Sequence, residues 1–229
     1  MSNSHLAEAQ EEIDFMLAKY GKRSLAWAME LELLGSDVWF AHGNYFTDEE
    51  YEIIGKSVGS IAYCPIPQMM LGSRVLDLSE LELKGINIGL GTDGYGVQDS
   101  SNLIEVLRMA YLLQCNSRGL GRTLAPTAYD CLKKATVNGA KILGRDDIGS
   151  LVVNKAADMF LIDVSPIEMV GALEDPSAFL AKAGYHNHVY MTFINGVVVY
   201  RDGKLQNINE DNIAQDANQV YQKNIKKYE

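Results

Sequence analysis

The sequence predicts an α/β fold built on a parallel sheet and followed by a small antiparallel β module, and two observations carry that expectation. Short apolar runs that end in a polar residue alternate with stretches of helical spacing along the body of the chain, the pattern of successive strand–helix units. Beyond Pro126 this gives way to apolar segments joined by Asn-Gly and Asp-Gly, which are hairpin turns.

Each element has its own signal. Helical spacing runs from Glu11 to Tyr20 and from Ser24 to Leu34. Val38-Trp39-Phe40-Ala41 then reads as a strand running into His42. A helix follows over Thr47 to Val58, with Thr47 as its N-cap and Asp48-Glu49-Glu50 at the positive end of its dipole. Gly59 to Tyr63 is a second strand, running into Cys64-Pro65. Leu76 to Lys84 is helical, and Ile86 to Gly91 is a strand running into Thr92-Asp93-Gly94. Asn102 to Gln114 and Ala128 to Leu143 read as helices, the second closed by Gly144. Asp158 to Asp163, Tyr190 to Ile194 and Val197 to Tyr200 are the strands of the β module, turned at Asn195-Gly196 and Asp202-Gly203. Asp211 to Tyr228 is a polar surface helix.

Composition narrows the function. The 229 residues are 47% hydrophobic and 22% charged, a globular balance with chain enough for a sizeable core. With 30 acidic against 20 basic residues the formal charge is −10, which argues against coating nucleic acid or an anionic membrane. The basic cluster Lys223, Lys226 and Lys227 is too short to change that. Cys64, Cys115 and Cys131 are odd in number and widely spaced, so a reducing compartment is expected rather than a disulfide framework. No stretch approaches the roughly 20 apolar residues of a membrane helix, and the polar start Met1-Ser2-Asn3-Ser4-His5 lacks the form of a signal peptide. A cytoplasmic protein is the expectation.

Chemistry-bearing residues fall at strand ends. His42, Cys64 and Asp93 each follow a strand, where the loops of a parallel α/β barrel converge. With His5 and Glu8 before the first helix, one rim would hold two imidazoles and two carboxylates. Such a set suits a metal that lowers the pKa of bound water, with a carboxylate to move protons. Each residue also has a commoner structural role: His42 as a packed imidazole, Asp93-Gly94 as a turn, His5 and Glu8 as a cap and a solvated helix face. Joint placement on one rim is what favours the functional reading. His186 and His188 could form a metal pair on a strand, but they lie in the β module and read as turn residues. Cys64, beside Pro65 and with no basic neighbour, reads as a packed thiol, and Met69 and Met70 read as gap-fillers near the rim or, alternatively, as a flexible apolar lining for a flat substrate.

Four segments together resemble the second half of the amidohydrolase superfamily: His5-Leu6-Ala7-Glu8, Val38 to Gly43, Gly89 to Gly94, and Ile148 to Leu151 through Lys155 to Asp158. The likeness is strongest to the aminohydrolase branch of 8-oxoguanine and guanine deaminases and triazine hydrolases, and it runs from His5 to about Leu205. The resemblance implies a partial (β/α)8 TIM barrel of about four βα units over residues 1–145. It further implies a small β-sandwich module over 146–205 and a polar helix over 206–229. It implies His5 and Asp93 as metal ligands, zinc before iron. Glu8 would shuttle a proton to the ring nitrogen of the substrate, and His42 would hydrogen-bond the attacking hydroxide. Asp93 would also take the proton from the metal's water, and Gln68 would face the substrate. The reaction implied is hydrolytic deamination of an amino-substituted heterocycle, a purine such as 8-oxoguanine, a pteridine or a triazine, by metal-bound hydroxide.

The departures are as informative. The family's His-x-His pair on the first barrel strand has no counterpart before His5, so weak metal binding is expected. Where the family shows His-Cys-Pro-x-Ser-Asn, this chain has Tyr63-Cys64-Pro65-Ile66-Pro67-Gln68. A half barrel would expose sheet edges, which favours a homodimer or association with a complementary amino half, and implies inactivity without that half. The competing expectation is a non-catalytic assembly module with a vestigial site.

Overall fold

A computed structural model of the chain describes residues 1–57, 59–118 and 125–226. Val58, Lys227 and Tyr228, which the sequence assigns to helix ends and to the basic cluster, lie outside them. The chain divides into two compact units, one of Met1–Ser150 with Gly171–His186 and the other of Leu151–Val170 with Asn187–Glu229.

The first unit carries a parallel sheet of four strands in sequence order: β1 (Ser2–Leu6), β2 (Val38–His42), β3 (Ser60–Tyr63) and β4 (Asn87–Leu90). Helices α1 (Gln10–Tyr20) and α2 (Ser24–Glu30) separate the first two strands, and α3 (Asp48–Ser57) separates the next two. Between β3 and β4 come α4 (Pro65–Met70) and α5 (Leu78–Leu83). The register sets Phe40 beside Ile61 and Ile61 beside Ile88, one apolar row across three strands. That row is buried against Ile13, Leu25, Tyr51, Ile54, Leu78 and Leu81 from the helices, and forms the main core.

Local chemistry explains the helix limits. Thr47 and Glu50 form a reciprocal cap at the start of α3, the Glu50 N–H donating to Thr47 Oγ1 (3.2 Å) and the Thr47 N–H to Glu50 Oε2 (2.8 Å). Glu50 also accepts from Arg23 Nε at 2.9 Å and from Arg23 Nη2 at 2.8 Å. The helix expected to reach Leu34 stops at Glu30, because Glu32 turns left-handed (φ 57°) and the Leu33 N–H reaches back to the Ala28 carbonyl.

After β4 come α6 (Tyr95–Gln98) and α7 (Leu103–Arg118), then α8 (Ala128–Lys134) and α9 (Val137–Ile142). The single helix expected over Ala128 to Leu143 is therefore two. Thr136 breaks it: its backbone leaves the helical region (φ −132°, ψ −93°) and its hydroxyl donates to the Leu132 carbonyl at 2.8 Å. The break lets α9 pack on β4, where Asn138 Nδ2 donates to the Ile88 carbonyl (2.9 Å) and Asn87 Nδ2 to the Asn138 carbonyl (3.2 Å). A helical segment over Pro176–Ala178 (α10) and Phe179–Ala183 packs on α7 and α8, adding Ala181 to a second apolar cluster with Leu107 and Cys131.

The second unit carries an antiparallel sheet in the order β5 (Met159–Leu161), β6 (Met191–Ile194), β7 (Val197–Arg201) and β8 (Lys204–Leu205). Both expected turns are present. Asn195 and Gly196 have φ of 48° and 77°, and Asp202 and Gly203 have 49° and 82°, the doubly left-handed turn that matches strand twist. Helix α11 (Glu210–Ile225) follows, capped by Asn209 and with no buried residue. Among the described residues no helix is long and apolar enough to cross a membrane.

Candidate metal centre

The carboxyl ends of β1, β2 and β4 bring His5, Glu8, His42 and Asp93 together. His42 is the last residue of β2 and is fully buried in side chain. Its backbone is left-handed (φ 70°), as are Ala7 (51°) after β1 and Asp93 (60°) after β4. Non-glycine residues in that region cost about 1 kcal/mol or more each, and such conformations cluster where a side chain must be aimed. The turn after His42 is held by two bonds, the Gly43 N–H to the Leu6 carbonyl (3.0 Å) and the buried Tyr51 hydroxyl to the Gly43 carbonyl (2.7 Å).

Three groups surround one imidazole nitrogen. His42 Nε2 lies 3.0 Å from His5 Nδ1, 3.5 Å from Asp93 Oδ2 and 3.7 Å from Glu8 Oε1. Glu8 Oε2 is 3.8 Å from His5 Nδ1. Asp93 Oδ1 accepts the Gly94 N–H at 2.7 Å, which orients the carboxylate and leaves Oδ2 toward His42. Burial lowers the pKa of His42 and His5 adds to that, against the opposing pull of the Glu8 and Asp93 carboxylates, so the imidazole is neutral near pH 7.

Donor atoms of His5, His42 and Asp93 all lie within 4.8 Å of one another. Two imidazoles and a carboxylate are a nitrogen and oxygen set that suits zinc and leaves a coordination position free for water or substrate. The set therefore fits a divalent cation. Glu8 stands beside it, close to both imidazoles.

Other singled-out residues fall differently. Gln68 is buried, with Nε2 donating to Asn44 Oδ1 and with Oε1 unpartnered among the described residues. Cys64 caps α4 and is a packed thiol whose pKa burial pushes up to about 12, with Asp93 and Glu8 adding to the effect. Met69 and Met70 are solvent-exposed rather than gap-filling, because the short α4 turns them outward. His186 and His188 fall in different units, the first exposed beside Gly184 and the second near the Tyr200 ring.

Sequence reasoning passed over Glu12, Asn44 and Ser73, which contact the Glu8 main chain. The one available signal was the carboxylate four residues after Glu8, on the first turn of α1.

Residues 2–199 match the amidohydrolase family. The chain belongs to that family. This amidohydrolase is 40% identical over 223 residues to hydroxydechloroatrazine ethylaminohydrolase of Pseudomonas sp. (strain ADP), a match covering 97% of this chain and 46% of that protein. It is 37% identical over 181 residues to 8-oxoguanine deaminase of Pseudomonas aeruginosa, covering 79% of this chain and 40% of that protein. Among solved structures it is similar to an adenosine deaminase from Xanthomonas campestris with bound zinc, at a TM-score of 0.88 and 26% identity over 96% of this chain and 50% of the other. The amidohydrolase spans about half the length of these relatives.

Proposed function

We propose that this chain is the carboxyl-terminal half of a metal-dependent amidohydrolase that hydrolytically deaminates an amino-substituted heterocycle, a purine such as 8-oxoguanine, a pteridine or a triazine. In this reading β1 to β4 are the second half of a (β/α)8 barrel and β5 to β8 belong to a small β-sandwich. Residues 1–145 are the barrel part, 146–205 the β module and 206–229 the terminal helix. The observation that carries the proposal is the convergence of His5, Glu8, His42 and Asp93 at the carboxyl ends of parallel strands.

His5 and Asp93 would hold the cation, zinc in preference to iron, and the cation would supply Lewis acidity and a water of lowered pKa. Asp93 would be the group that takes the proton of the attacking water. Glu8 carries a proton to the ring nitrogen, so that the ring carbon accepts the oxygen and ammonia or an amine leaves. His42 hydrogen-bonds the oxygen being added, a role that suits a buried neutral imidazole. Gln68 faces the ring through Oε1.

Activity in this reading requires a complementary amino half, or a second copy of the chain, to complete the barrel. Three unpaired cysteines support a cytoplasmic setting.

The test supplies the chain with the amino half of the Pseudomonas ethylaminohydrolase and measures ammonia or amine release from the heterocycles named. Glu8→Gln and Asp93→Ala each lower kcat by about 100-fold or more, the contribution of a positioned proton carrier. Near-normal turnover in either variant refutes the assignment.

A further inference from the structure

We infer that Glu12 and the Asn44–Ser73 pair are positioning residues that grip both polar groups of the Glu8 main chain and so fix where its carboxylate stands beside His42. The inference rests on the reading of Glu8 as a proton carrier.

On one side, Glu12 reaches back from the first turn of α1. Its Oε1 accepts the Ala7 N–H at 2.9 Å and its Oε2 accepts the Glu8 N–H at 3.0 Å. The buried Ser24 hydroxyl, at the start of α2, donates to Oε1 at 2.5 Å and fixes the carboxylate in turn. On the other side, the Glu8 carbonyl accepts from Ser73 Oγ at 2.9 Å and from Asn44 Nδ2 at 3.2 Å. Asn44 Nδ2 also donates to Ser73 Oγ at 3.0 Å, and Asn44 Oδ1 accepts from the buried Gln68.

Among the described residues the Glu8 main chain takes no backbone partner: side chains from α1, from the turn after β2 and from the turn after α4 hold its N–H and C=O. Such a loop would ordinarily take its bonds from neighbouring backbone or from water. The preceding Ala7, fully buried and left-handed at φ 51°, gives the chain its sharp turn from β1, and that turn is held without a glycine by Glu12 and by the Tyr45 N–H, which donates to the Ala7 carbonyl at 3.0 Å. A charged acceptor that takes two adjacent N–H groups is both stronger and more directional than a neutral one. The register of the Glu8 carboxylate, 3.7 Å from His42 Nε2 and 3.8 Å from His5 Nδ1, is set by this clamp together with those two contacts.

Backbone amide exchange and imidazole nitrogen resonances of the full 229-residue chain test this. Glu12→Gln keeps the size of the side chain but turns one acceptor oxygen into a donor that faces an N–H. The Ala7 and Glu8 amides then exchange at least about tenfold faster, as loss of a charged hydrogen bond requires, and the His42 Nε2 resonance shifts. Amides of β3 and β4 keep their rates. Ser73→Ala, a smaller change, shifts His42 without altering the Ala7 amide, and it carries the test alone if Glu12→Gln does not fold. Unchanged Glu8 and His42 signals overturn the inference, as does a uniform acceleration across the sheet, which is loss of stability only. In the completed enzyme the two readings separate. Full turnover in Glu8→Gln removes the proton-carrier role and leaves the clamp standing, whereas loss there with full kcat in Glu12→Gln removes the positioning role alone.

Discussion

His42 Nε2 lies 3.0 Å from His5 Nδ1 although the strand register does not pair them: His5 stands beside Ala41, and His42 beside Leu6. The left-handed backbone at His42 turns its ring across that offset, and the two rings meet edge to face with centroids 4.7 Å apart. One nitrogen of the pair must accept where the other donates. Asp93 Oδ2 lies 3.5 Å from the same His42 nitrogen and brings negative charge to the rim.

The proposed site predicts zinc binding. Equilibrium dialysis of the chain against zinc should show one bound ion, and His5→Ala or Asp93→Ala should weaken it by more than about 100-fold, beyond the 10–100-fold that loss of a supporting partner costs. Equal zinc content in the wild type and both variants would show that His5 and Asp93 hold no ion.

Thiol chemistry separates the cysteines. Burial pushes the pKa of both Cys64 and Cys131 up to about 12, which at pH 8 leaves on the order of one thiolate in 10,000. Cys115 is only half-buried. Iodoacetamide at pH 8 should label Cys115 first and stop at one adduct per folded chain, read by mass spectrometry. Fast labelling of Cys64 would mean that the rim is far more open than its packing against Gly91 implies.

Acid stability should depend on Asp130. It closes the capping box of α8, accepting the Thr127 N–H at 3.0 Å. Burial raises its pKa, but hydrogen bonds from Lys133 and Thr127 outweigh that and bring it down to about 2 from 3.8. The unfolded carboxylate therefore protonates first. Its contribution is full above about pH 4 and is lost as pH falls through about 2. The gap in melting temperature between the wild type and Asp130→Asn should close over that window, and a gap independent of pH would remove the carboxylate from the account.

Periodicity made the buried strands legible, since Phe40, Ile61 and Ile88 are apolar and bounded by polar ends or turn residues. It missed β1, because Ser2, Asn3, Ser4 and His5 are exposed and polar, and only the likeness to the amidohydrolases implied a strand there. The rim residues were legible for the reason that they follow strands directly. Asn44 and Ser73 were not, because each acts on a main-chain group 36 and 65 residues away, a contact that no local pattern records. The split of the helix after Ala128 was hidden for a related reason: Thr136 is an unremarkable helix residue until its hydroxyl takes the Leu132 carbonyl.

Packing of α3 against the entry to β4 gives the last prediction. A side-chain carbon on Gly55 would meet the Lys84 carbonyl oxygen far inside van der Waals contact, and Ile86 Cγ1 lies at 3.6 Å. The obstacle is backbone that leads directly into β4, so it cannot move without displacing Ile86, which is buried in the main core. Helix propensity alone favours alanine over glycine at a mid-helix position by roughly 1 kcal/mol. Steric overlap with a carbonyl should reverse that sign, and overpacking of this kind costs about 1–3 kcal/mol. Gly55→Ala should therefore lower the urea midpoint of unfolding. A raised midpoint would mean that α3 has room to move off the sheet, and that the close approach is not part of what holds β4, and with it Asp93, in place.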